Sequence, residues 1–484
     1  MKYQLPVKTL DEYLKQAKTI MKQTQVKTSS QTIYKITGFY KETEFQETSI
    51  GKIPKDWSVA KLKEIFEIQR GFSYRKKDLS EIPTSIRFIT INDMEKEGGR
   101  KRDAKPVYLK EELKINNRFL LKKGDLLIAN TDMSKGFIIG APLYVDDTFI
   151  KQGRTLVYSM DLTKLIPRRS VNTRFFFYLL SWNSIRKIMK SFAQGTNVLH
   201  INHDLVRNLN VVIPPLEEQW GIAEVLSSVD RAIEATERLI ERLERLKKAL
   251  MQELLTRGIG HKEYKQTEIG KIPKEWQVVK LQNIILKSIG GGTPSTKNPR
   301  YWDGDIPWMT SVGIPEDDIY ITKGERFITE EGLRNSATNI IPKGNLIVAT
   351  RVGLGKAGVN LIDIAINQDL VGLILDKKQI MPEFLAYYLR SPKALTYIMA
   401  AARGTTIKGI SRQALFNIRI PLPLLNEQQK IVNMLITFDK WIKLEKKRKE
   451  KLERLKKGLM NILLTGRVRV KVVEQGVSTG SSSR

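Results

Sequence analysis

Two nearly identical octapeptides decide how this chain is organised. Residues 50–57 read IGKIPKDW and residues 269–276 read IGKIPKEW, an offset of 219 residues (269 minus 50). A second pair lies further along each copy: LERLKKALMQ at residues 243–252 and LERLKKGLMN at residues 452–461, an offset of 209 (452 minus 243). Self-similarity at a long, fixed period indicates repeated structural units. We therefore expect two copies of one unit, the second of which is 10 residues shorter (219 minus 209).

The composition restricts the class of protein. Of the 484 residues, 41% are hydrophobic and 28% are charged, and Lys and Arg exceed Asp and Glu to give a net charge of +30. This excess favours a polyanionic partner, such as a nucleic acid or an anionic membrane surface. The absence of cysteine excludes a disulfide framework, Cys-ligated zinc and a thiol nucleophile. No segment has the pattern of a signal peptide or a membrane span, so we expect a cytoplasmic protein.

Each copy ends in a segment with helical periodicity. The first begins after Pro214 and Pro215, and its apolar residues alternate three- and four-residue spacings over four heptads, which is typical of a coiled-coil seam. About 41 residues at roughly 1.5 Å each give a helix of roughly 60 Å, which needs a long partner, and its counterpart in the other copy is the natural one. Because short linkers follow the helices, we predict antiparallel pairing. The residues predicted to pair the helices are Ile222, Val225, Val229, Leu239, Leu243, Leu246, Leu250, Ile431, Met434, Phe438, Leu452, Leu455 and Leu459.

The segments before the helices carry β-rich runs, Gly and Pro punctuation and one amphipathic helix each. This pattern predicts an α+β fold: two tandem mixed-sheet domains separated by two long helices that pair as an antiparallel coiled coil, with pseudo-two-fold symmetry. The predicted boundaries are an N-terminal extension at residues 1–40, a first domain at 41–213, a central spacer helix at 214–258, a second domain at 259–422, a C-terminal spacer helix at 423–467 and a tail at 468–484.

Several motifs occur in the order known from one family. These are the IGxIPxDW-type openings, GGTPS at residues 291–295 with IPW at 306–308, and paired P-L-x-E-Q-type helices ending in LLTG-type sequence. Over residues 45–467 the chain resembles the DNA specificity subunit of type I restriction–modification systems. One departure is RGFSYRKKDL at residues 70–79, which stands where the second copy has GGTPS and puts the equivalence of the two loops in doubt.

The resemblance implies a division of labour among subunits. Two target recognition domains would each read one half of an interrupted double-stranded DNA site, and the helices would dock two modification (methyltransferase) subunits. The resemblance places S-adenosylmethionine, ATP and Mg in partner subunits, which methylate adenine N6 or, as restriction subunits, translocate and cleave DNA. It implies no cofactor in this chain and no membrane partner.

Motifs for catalysis were sought and not found. The chain has no N/D-P-P-Y/F-type methyltransferase loop and no G-x-x-x-x-G-K phosphate loop, and VGLGKAG at residues 352–358 is better explained as a turn that approaches DNA. His200 and His203 have the spacing of a metal pair but no third ligand nearby, and Glu316, Asp317 and Asp318 have no nuclease-type E-x-K after them. We expect no catalytic residues and no metal site.

Recognition of DNA remains the leading hypothesis. Basic residues supply affinity through phosphates, and Arg, Lys, Asn, Gln, Ser and Thr can reach base edges. The loop residues that we select as DNA-binding candidates in the first domain are Arg75, Lys76, Lys77, Ser134, Lys135, Gln152, Arg154, Gln194, Thr196, Asn197 and His200. Those in the second domain are Thr293, Ser295, Lys297, Arg351, Lys356, Gln368, Arg403, Thr405, Thr406 and Lys408. For Trp57 and Trp276, core packing is favoured over base stacking.

Three further questions stay open at this point. The first rival function is a single-chain restriction–methylation enzyme, against which the missing motifs argue. The second is a coiled-coil architectural protein that binds DNA without sequence preference, against which the divergent domain centres argue. In addition, the run at residues 443–457 carries nine basic and three acidic residues, and it is either a solvated helix face or a contact for phosphate or an acidic partner.

Overall fold

The computed structural model describes residues 33–133, 136–150, 154–404 and 408–475. Contacts divide the chain into two compact units, which we describe separately: unit 1 comprises Met1–Glu234 with Glu450–Arg484, and unit 2 comprises Ala235–Lys449. Each long helix therefore gives one half to each unit. Candidates Ser134, Lys135, Gln152, Thr405 and Thr406 lie outside the described residues.

The described strands and helices are as follows. In the first copy the strands are β1 Ile33–Lys41, β2 Phe45–Thr48, β3 Gly51–Pro54, β4 Ser58–Lys61, β5 Phe66–Arg70, β6 Leu79–Ser80, β7 Ile86–Ile89, β8 Val107–Leu109, β9 Leu126–Ala129, β10 Thr131–Asp132, β11 Pro142–Tyr144, β12 Thr155–Tyr158, β13 Leu162–Pro167, β14 Ala193–Gln194, β15 Leu199–Ile201 and β16 Asn210–Ile213. In the second copy they are β17 Tyr264–Thr267, β18 Gly270–Pro273, β19 Gln277–Lys280, β20 Ile285–Gly290, β21 Trp302–Met309, β22 Tyr320–Ile321, β23 Arg326–Ile328, β24 Asn339–Ile341, β25 Leu346–Ala349, β26 Ala357–Asn360, β27 Ile364–Ile366, β28 Leu370–Leu375 and β29 Arg419–Leu422, and β30 is Val468–Gln475. The α-helices are α1 Leu62–Ile65, α2 Thr173–Ser181, α3 Asn183–Ser191, α4 His203–Arg207, α5 Leu216–Arg257, α6 Glu330–Arg334, α7 Pro382–Arg390, α8 Pro392–Ala401, α9 Arg412–Phe416 and α10 Leu425–Leu463.

The globular part of unit 1 is built on two four-stranded sheets, ordered β11-β9-β13-β5 and β12-β7-β8-β6. The first is antiparallel, whereas β12 and β7 of the second run parallel. The central strand β9 is buried on both faces because consecutive side chains of a strand point to opposite sides. Leu126 and Ile128 enter the core cluster beneath the helices, and Leu127 and Ala129 enter a second cluster. Its unbroken apolar sequence follows from this position.

Unit 2 repeats the plan with a five-stranded sheet, β20-β28-β25-β26-β22, and a four-stranded sheet, β23-β21-β27-β24. Both sheets are mixed, since β22 pairs with β26, and β21 with β27, in parallel. Strand β25 is the counterpart of β9: Leu346 and Val348 enter one core cluster, and Ile347 and Ala349 enter another. The predicted α+β fold with two mixed-sheet domains is thereby confirmed.

Helices α5 and α10 pair antiparallel in each unit. In unit 1, Asp230 meets Lys456 at 2.7 Å, and Ile222 shares a core cluster with Leu459. In unit 2, Glu244 meets Lys446 at 3.0 Å, and Lys247 forms an ion pair with Asp439. The α5 residue numbers rise as their α10 partners fall, which confirms the predicted antiparallel pairing.

The buried stripe of the helices differs by one position from the predicted seam at several points. Leu246 and Met434 are 54% and 45% exposed, so neither lies on that stripe. In α5 the predicted Leu243 is buried, but the stripe also uses Ile240, and Lys247 is directed at Asp439; in α10 it uses Leu435 and Ile442. A one-residue change rotates a helix position by about 100°, which is enough to move a side chain from the seam to the surface.

A two-stranded ribbon joins the ends of the described chain in unit 1. Strand β1 pairs antiparallel with β30, with Lys41 opposite Val468. The inner face of the ribbon packs on the start of α5, where Val468 and Val470 share a core cluster with Ile222. The sequence analysis had assigned these residues to an N-terminal extension and a tail, so the ribbon is a feature that it missed.

Candidate nucleic-acid interface

In unit 2, four polar loops meet at one edge of the sheets. The Gly292 amide donates to the carbonyl of Ile366 (3.0 Å), the Thr350 amide to the carbonyl of Asp369 (2.8 Å), and the Ile410 amide to the carbonyl of Thr350 (2.8 Å). The described residues at 290–297, 350–356, 367–369, 403–404 and 408–410 are thereby brought together. These loops hold all of the described second-domain candidates.

The glycine run in the first of these loops has a steric cause. A Cβ atom on Gly291 would lie 2.0 Å from the carbonyl oxygen of Ile366, so a side chain at this position would displace the neighbouring backbone. In unit 1, a Cβ on Gly71 would lie 2.1 Å from the carbonyl oxygen of Ser159. The sequence RGFSYRKKDL differs from GGTPS, but Gly71 makes the same type of close approach that Gly291 makes.

Unit 1 has a corresponding edge. The Asn130 amide donates to the carbonyl of Asp161 (2.7 Å), and the Ile201 amide donates to the carbonyl of Asn130 (2.8 Å). Strand β15 pairs with β10 on one side and β14 on the other, with Thr131 opposite His200. The loop between β14 and β15, which holds the candidates Thr196 and Asn197, projects from this small sheet.

Most described candidates are free to meet a ligand. The exposed ones are Arg75, Lys76, Lys77, Gln194, Thr196, Asn197, His200, Thr293, Ser295, Lys297, Arg351, Gln368, Arg403 and Lys408. Two other candidates, Arg154 and Lys356, direct their cationic groups at partners within the protein. Arg154 donates to the Tyr108 hydroxyl over 3.3 Å and lies over its ring, and the Lys356 Nζ lies 2.9 Å from Glu316.

The imidazole ring of His203 is held by partners within the protein. Its Nε2 lies 3.1 Å from Thr163 Oγ1 and 3.3 Å from Asn130 Oδ1. Burial lowers the pKa of His203, with further contributions from Arg207 and Arg70, so the ring is held neutral. His200 is exposed on β15. Within the described ranges, no group of three or more His, Cys, Asp or Glu side chains is arranged to hold a metal ion.

Four residues that support the loops were missed by sequence reasoning. Asp161 accepts from Thr131 Oγ1 (3.0 Å), and Asp369 accepts from Asn367 Nδ2 (3.1 Å). Arg186 donates to the carbonyls of Ile139 and Phe137, and Arg390 to those of Ala357, Asp318 and Pro315. Burial lowers the pKa of Arg186 to about 10. An arginine on the apolar face of a helix was the available signal for Arg186.

Among the residues whose placement is described, no helix is both long enough and apolar enough to cross a bilayer.

Comparisons with known proteins agree with these features. A family model described as "Type I restriction modification DNA specificity domain" matches residues 54–245 and 273–454. The putative type I restriction enzyme MjaX specificity subunit of Methanocaldococcus jannaschii is 30% identical over 447 residues, which is 90% of this chain and 98% of the relative. The MjaVIII specificity subunit of the same organism is also 30% identical, with the same coverage.

A solved structure shows the same fold. The crystal structure of a type I restriction–modification S subunit from M. genitalium has a TM-score of 0.53 at 15% identity and covers 84% of this chain and 96% of its own. The two matched segments coincide with the two repeats found in the sequence, and each contains one of the polar loop edges. The chain therefore belongs to the family of type I restriction–modification DNA specificity subunits, which recognise DNA sequence and are not catalytic by themselves.

Proposed function

We propose that the chain reads a bipartite, interrupted double-stranded DNA site, one half with each target recognition domain, at residues 41–213 and 259–422. The observation that carries this proposal is the repeated edge of polar loops, which has the same backbone framework but different side chains. Thr196, Asn197 and His200 are exposed there in unit 1, whereas Thr293, Arg351 and Gln368 are exposed there in unit 2. Two different sets of donors and acceptors on one framework suit two different half-sites.

The exposed cations supply the affinity in this proposal. Arg75, Lys76 and Lys77 in unit 1, and Lys297, Arg403 and Lys408 in unit 2, are exposed. Phosphate contacts by such side chains release counterions, which gives sequence-independent affinity and steep salt dependence. Polar side chains at the same edges then select among sequences.

The helices are the docking site for other subunits in this proposal. In unit 2, α10 exposes Met434 (45%), Trp441 (48%) and Leu444 (63%), a group of large apolar side chains that is unusual on a solvated helix. We assign this face to a modification subunit and expect two such subunits and, in restriction-competent complexes, restriction subunits.

No cofactor is assigned to this chain; S-adenosylmethionine, ATP and Mg are assigned to the partners. The expected compartment is the cytoplasm.

Mapping of methylated adenine in the source cell tests this function. We expect a motif of two fixed blocks separated by an unread gap of constant length to lose its methylation when the gene is deleted and to regain it when the gene is returned. Exchange of residues 41–213 for those of another specificity subunit should change one block and leave the other. A methylation pattern that is the same with and without the gene would contradict the proposal.

A further inference from the structure

The second residue after strand β25 differs from its counterpart after β9 in a way that bears on how DNA is read. In unit 1 the corresponding position, at an offset of 220 residues (351 minus 131), is Thr131, which is 5% exposed and donates to Asp161 over 3.0 Å. In unit 2 it is Arg351, whose side chain is 60% exposed. The aspartate is kept in both units, as Asp161 and Asp369, but its partner changes from a short buried hydroxyl to a long exposed guanidinium.

Asp369 is held firmly at this edge. Its carboxylate accepts from Asn367 Nδ2 (3.1 Å), its amide donates to Asn367 Oδ1 (3.1 Å), and its carbonyl accepts from the Thr350 amide (2.8 Å). The Arg351 Nη1 lies 4.0 Å from the Asp369 carboxylate. At this distance the Asp369 carboxylate attracts the guanidinium by charge and makes no hydrogen bond to it, and the edge formed by Nε and Nη2 is left to face a ligand.

The stem of Arg351 is also supported. A Cβ on Gly409 would lie 3.3 Å from Arg351 Cγ, so the absence of a side chain at Gly409 leaves room for the arginine beside the Arg403–Gly409 bridge. Gln368 lies next to Asp369 along the chain, and its side-chain oxygen accepts from Thr293 Oγ1 over 2.7 Å. Arg351 and Gln368 are therefore exposed side chains with internal supports.

We propose that Arg351 is the residue of the second target recognition domain that reads a guanine in the major groove, and that Asp369 is its positioning residue. This inference rests on the proposed function. A planar guanidinium with one free edge matches the O6 and N7 acceptors of guanine, which is the commonest specific contact of arginine with DNA. The nearby carboxylate argues against a phosphate contact, because it repels a phosphate as it attracts the guanidinium.

The substitution Arg351→Lys tests the proposal because it keeps the charge but cannot form the planar two-donor contact. Binding of the complex assembled with the wild-type or variant chain is measured against its cognate duplex and against duplexes with single base-pair changes. We expect the variant to lose roughly 5- to 150-fold of discrimination at one G·C pair of one half-site, and to keep the remaining preferences. The Asp369→Asn variant should lose part of the discrimination at the same pair.

Lys408→Ala is the matched control, since Lys408 is exposed on a neighbouring loop of the same edge. The Lys408→Ala variant should bind every duplex more weakly by the same factor. It should also reduce the slope of log affinity against log salt concentration by about one unit. If Arg351→Lys weakens all duplexes equally, up to complete loss of binding, Arg351 is a phosphate contact and the inference is overturned. It is overturned as well if Arg351→Lys leaves every preference unchanged. A wild-type complex that prefers no interrupted site would instead refute the proposed function.

Discussion

The indole N–H of Trp57 donates to a carboxylate oxygen of Glu218 over 2.9 Å, and Trp276 makes the same bond to Glu427. Both tryptophans are 1% exposed, which confirms their predicted place in the core. Each octapeptide is therefore tied to the first turn of the long helix that ends its own domain. The basic side chain beside the carboxylate differs: Arg469 donates to Glu218, whereas His261 Nε2 lies 2.8 Å from Glu427.

Replacement of Arg469 by methionine should destabilise unit 1 strongly. The Arg469 and Glu218 side chains are each 6% exposed, so the substitution leaves a buried carboxylate without its cation. Breaking such a pair typically costs about 3–5 kcal/mol of the free energy of unfolding. Denaturant unfolding, with hydrogen exchange of β30 as a local probe, measures the loss. The control is Arg467→Met, at an exposed neighbouring position, which should change the free energy of unfolding by less than about 0.5 kcal/mol. Equal losses in the two variants would refute the role of the buried pair.

The same cluster predicts a loss of stability in acid. The hydrogen bond from Arg469 lowers the pKa of Asp56, and backbone donors, chiefly the Glu44 amide, lower the pKa of Glu42. A carboxyl whose pKa is lowered by folding stabilises the folded state above its unfolded pKa, near pH 4, and loses this contribution as the pH falls further. Stability of unit 1 should therefore fall below about pH 4. The fall should be shallower in Arg469→Met, and an unchanged acid slope in that variant would contradict the assignment.

Tyr387 connects the globular part of unit 2 to α10. Its hydroxyl donates to Asp439 over 2.6 Å, and Tyr178 donates to Asp230 over 2.7 Å in unit 1. Tyr387→Phe should lower the free energy of unfolding by about 1.5–3 kcal/mol, the usual value for a hydrogen bond to a charged group. Tyr397→Phe, at a residue that is 39% exposed, is the control and should have little effect.

Alkaline unfolding gives an independent measurement of the same contact. Burial, followed by the charge of Asp439, raises the pKa of Tyr387. A group whose pKa is raised by folding contributes stability that is present below its unfolded pKa, about pH 10, and is lost as the pH rises. The wild type should lose stability above pH 10 more steeply than Tyr387→Phe does. Parallel alkaline profiles of the two proteins would contradict this account.

Much of the architecture could be predicted from the repeat. The offsets placed both octapeptides and both long helices, and the short linkers after the helices indicated antiparallel pairing. The exact seam could not be predicted, because apolar residues follow both three-four registers in α5. Ile240 is buried and Leu246 is exposed, a difference that the periodicity of the sequence does not decide. The β1–β30 ribbon joins strands from opposite ends of the chain, although alternating valines at residues 468–473 were a signal for a strand.

The edges of polar loops were predicted in part. Glycine and polar residues marked loops that lie together at these edges, since such residues favour turns and can contact a ligand. Whether an individual side chain is exposed or makes an internal contact depends on partners that are distant in the sequence. Arg154 meets Tyr108 and Lys356 meets Glu316, and neither pair has a local sequence signature. Asp161 and Asp369 were missed for the same reason, because their partners are brought close only by the sheets.

Two lysines of unit 2 should differ in their contribution to DNA binding. Lys297 is exposed, whereas the Nζ of Lys356 is 2.9 Å from Glu316 and its side chain is 30% exposed. Lys297→Ala should reduce the slope of log affinity against log salt by about one unit, as expected for a lost phosphate contact. Lys356→Ala should change this slope less, because its charge is already neutralised. Affinity measured between about 50 and 200 mM salt provides the test, and equal slope changes would contradict it.

The last prediction concerns the length of the long helices, which we expect to set the gap between half-sites. The contact of Lys449 with Glu237 at 2.8 Å places Thr236 and Lys449 at matching levels of the pair. One heptad inserted after Thr236 and another after Lys449 keep the seam in register. They lengthen each helix by about 7 × 1.5 Å, or roughly 10 Å. At about 3.4 Å per base pair, the preferred gap should lengthen by about three base pairs.

The insertion also turns one half-site relative to the other by roughly 100°, given about 10–10.5 base pairs per turn, so we expect a lower rate at the new optimum. The measurement is methylation, by the assembled complex, of duplexes with fixed half-sites and gaps that differ by single base pairs. A heptad in only one helix is the control and should impair the complex more, because the seam then matches on one side of the insertion only. If the doubly extended protein keeps the original gap at an undiminished rate, the helices do not set the distance, and the linker at residues 258–271 becomes the alternative.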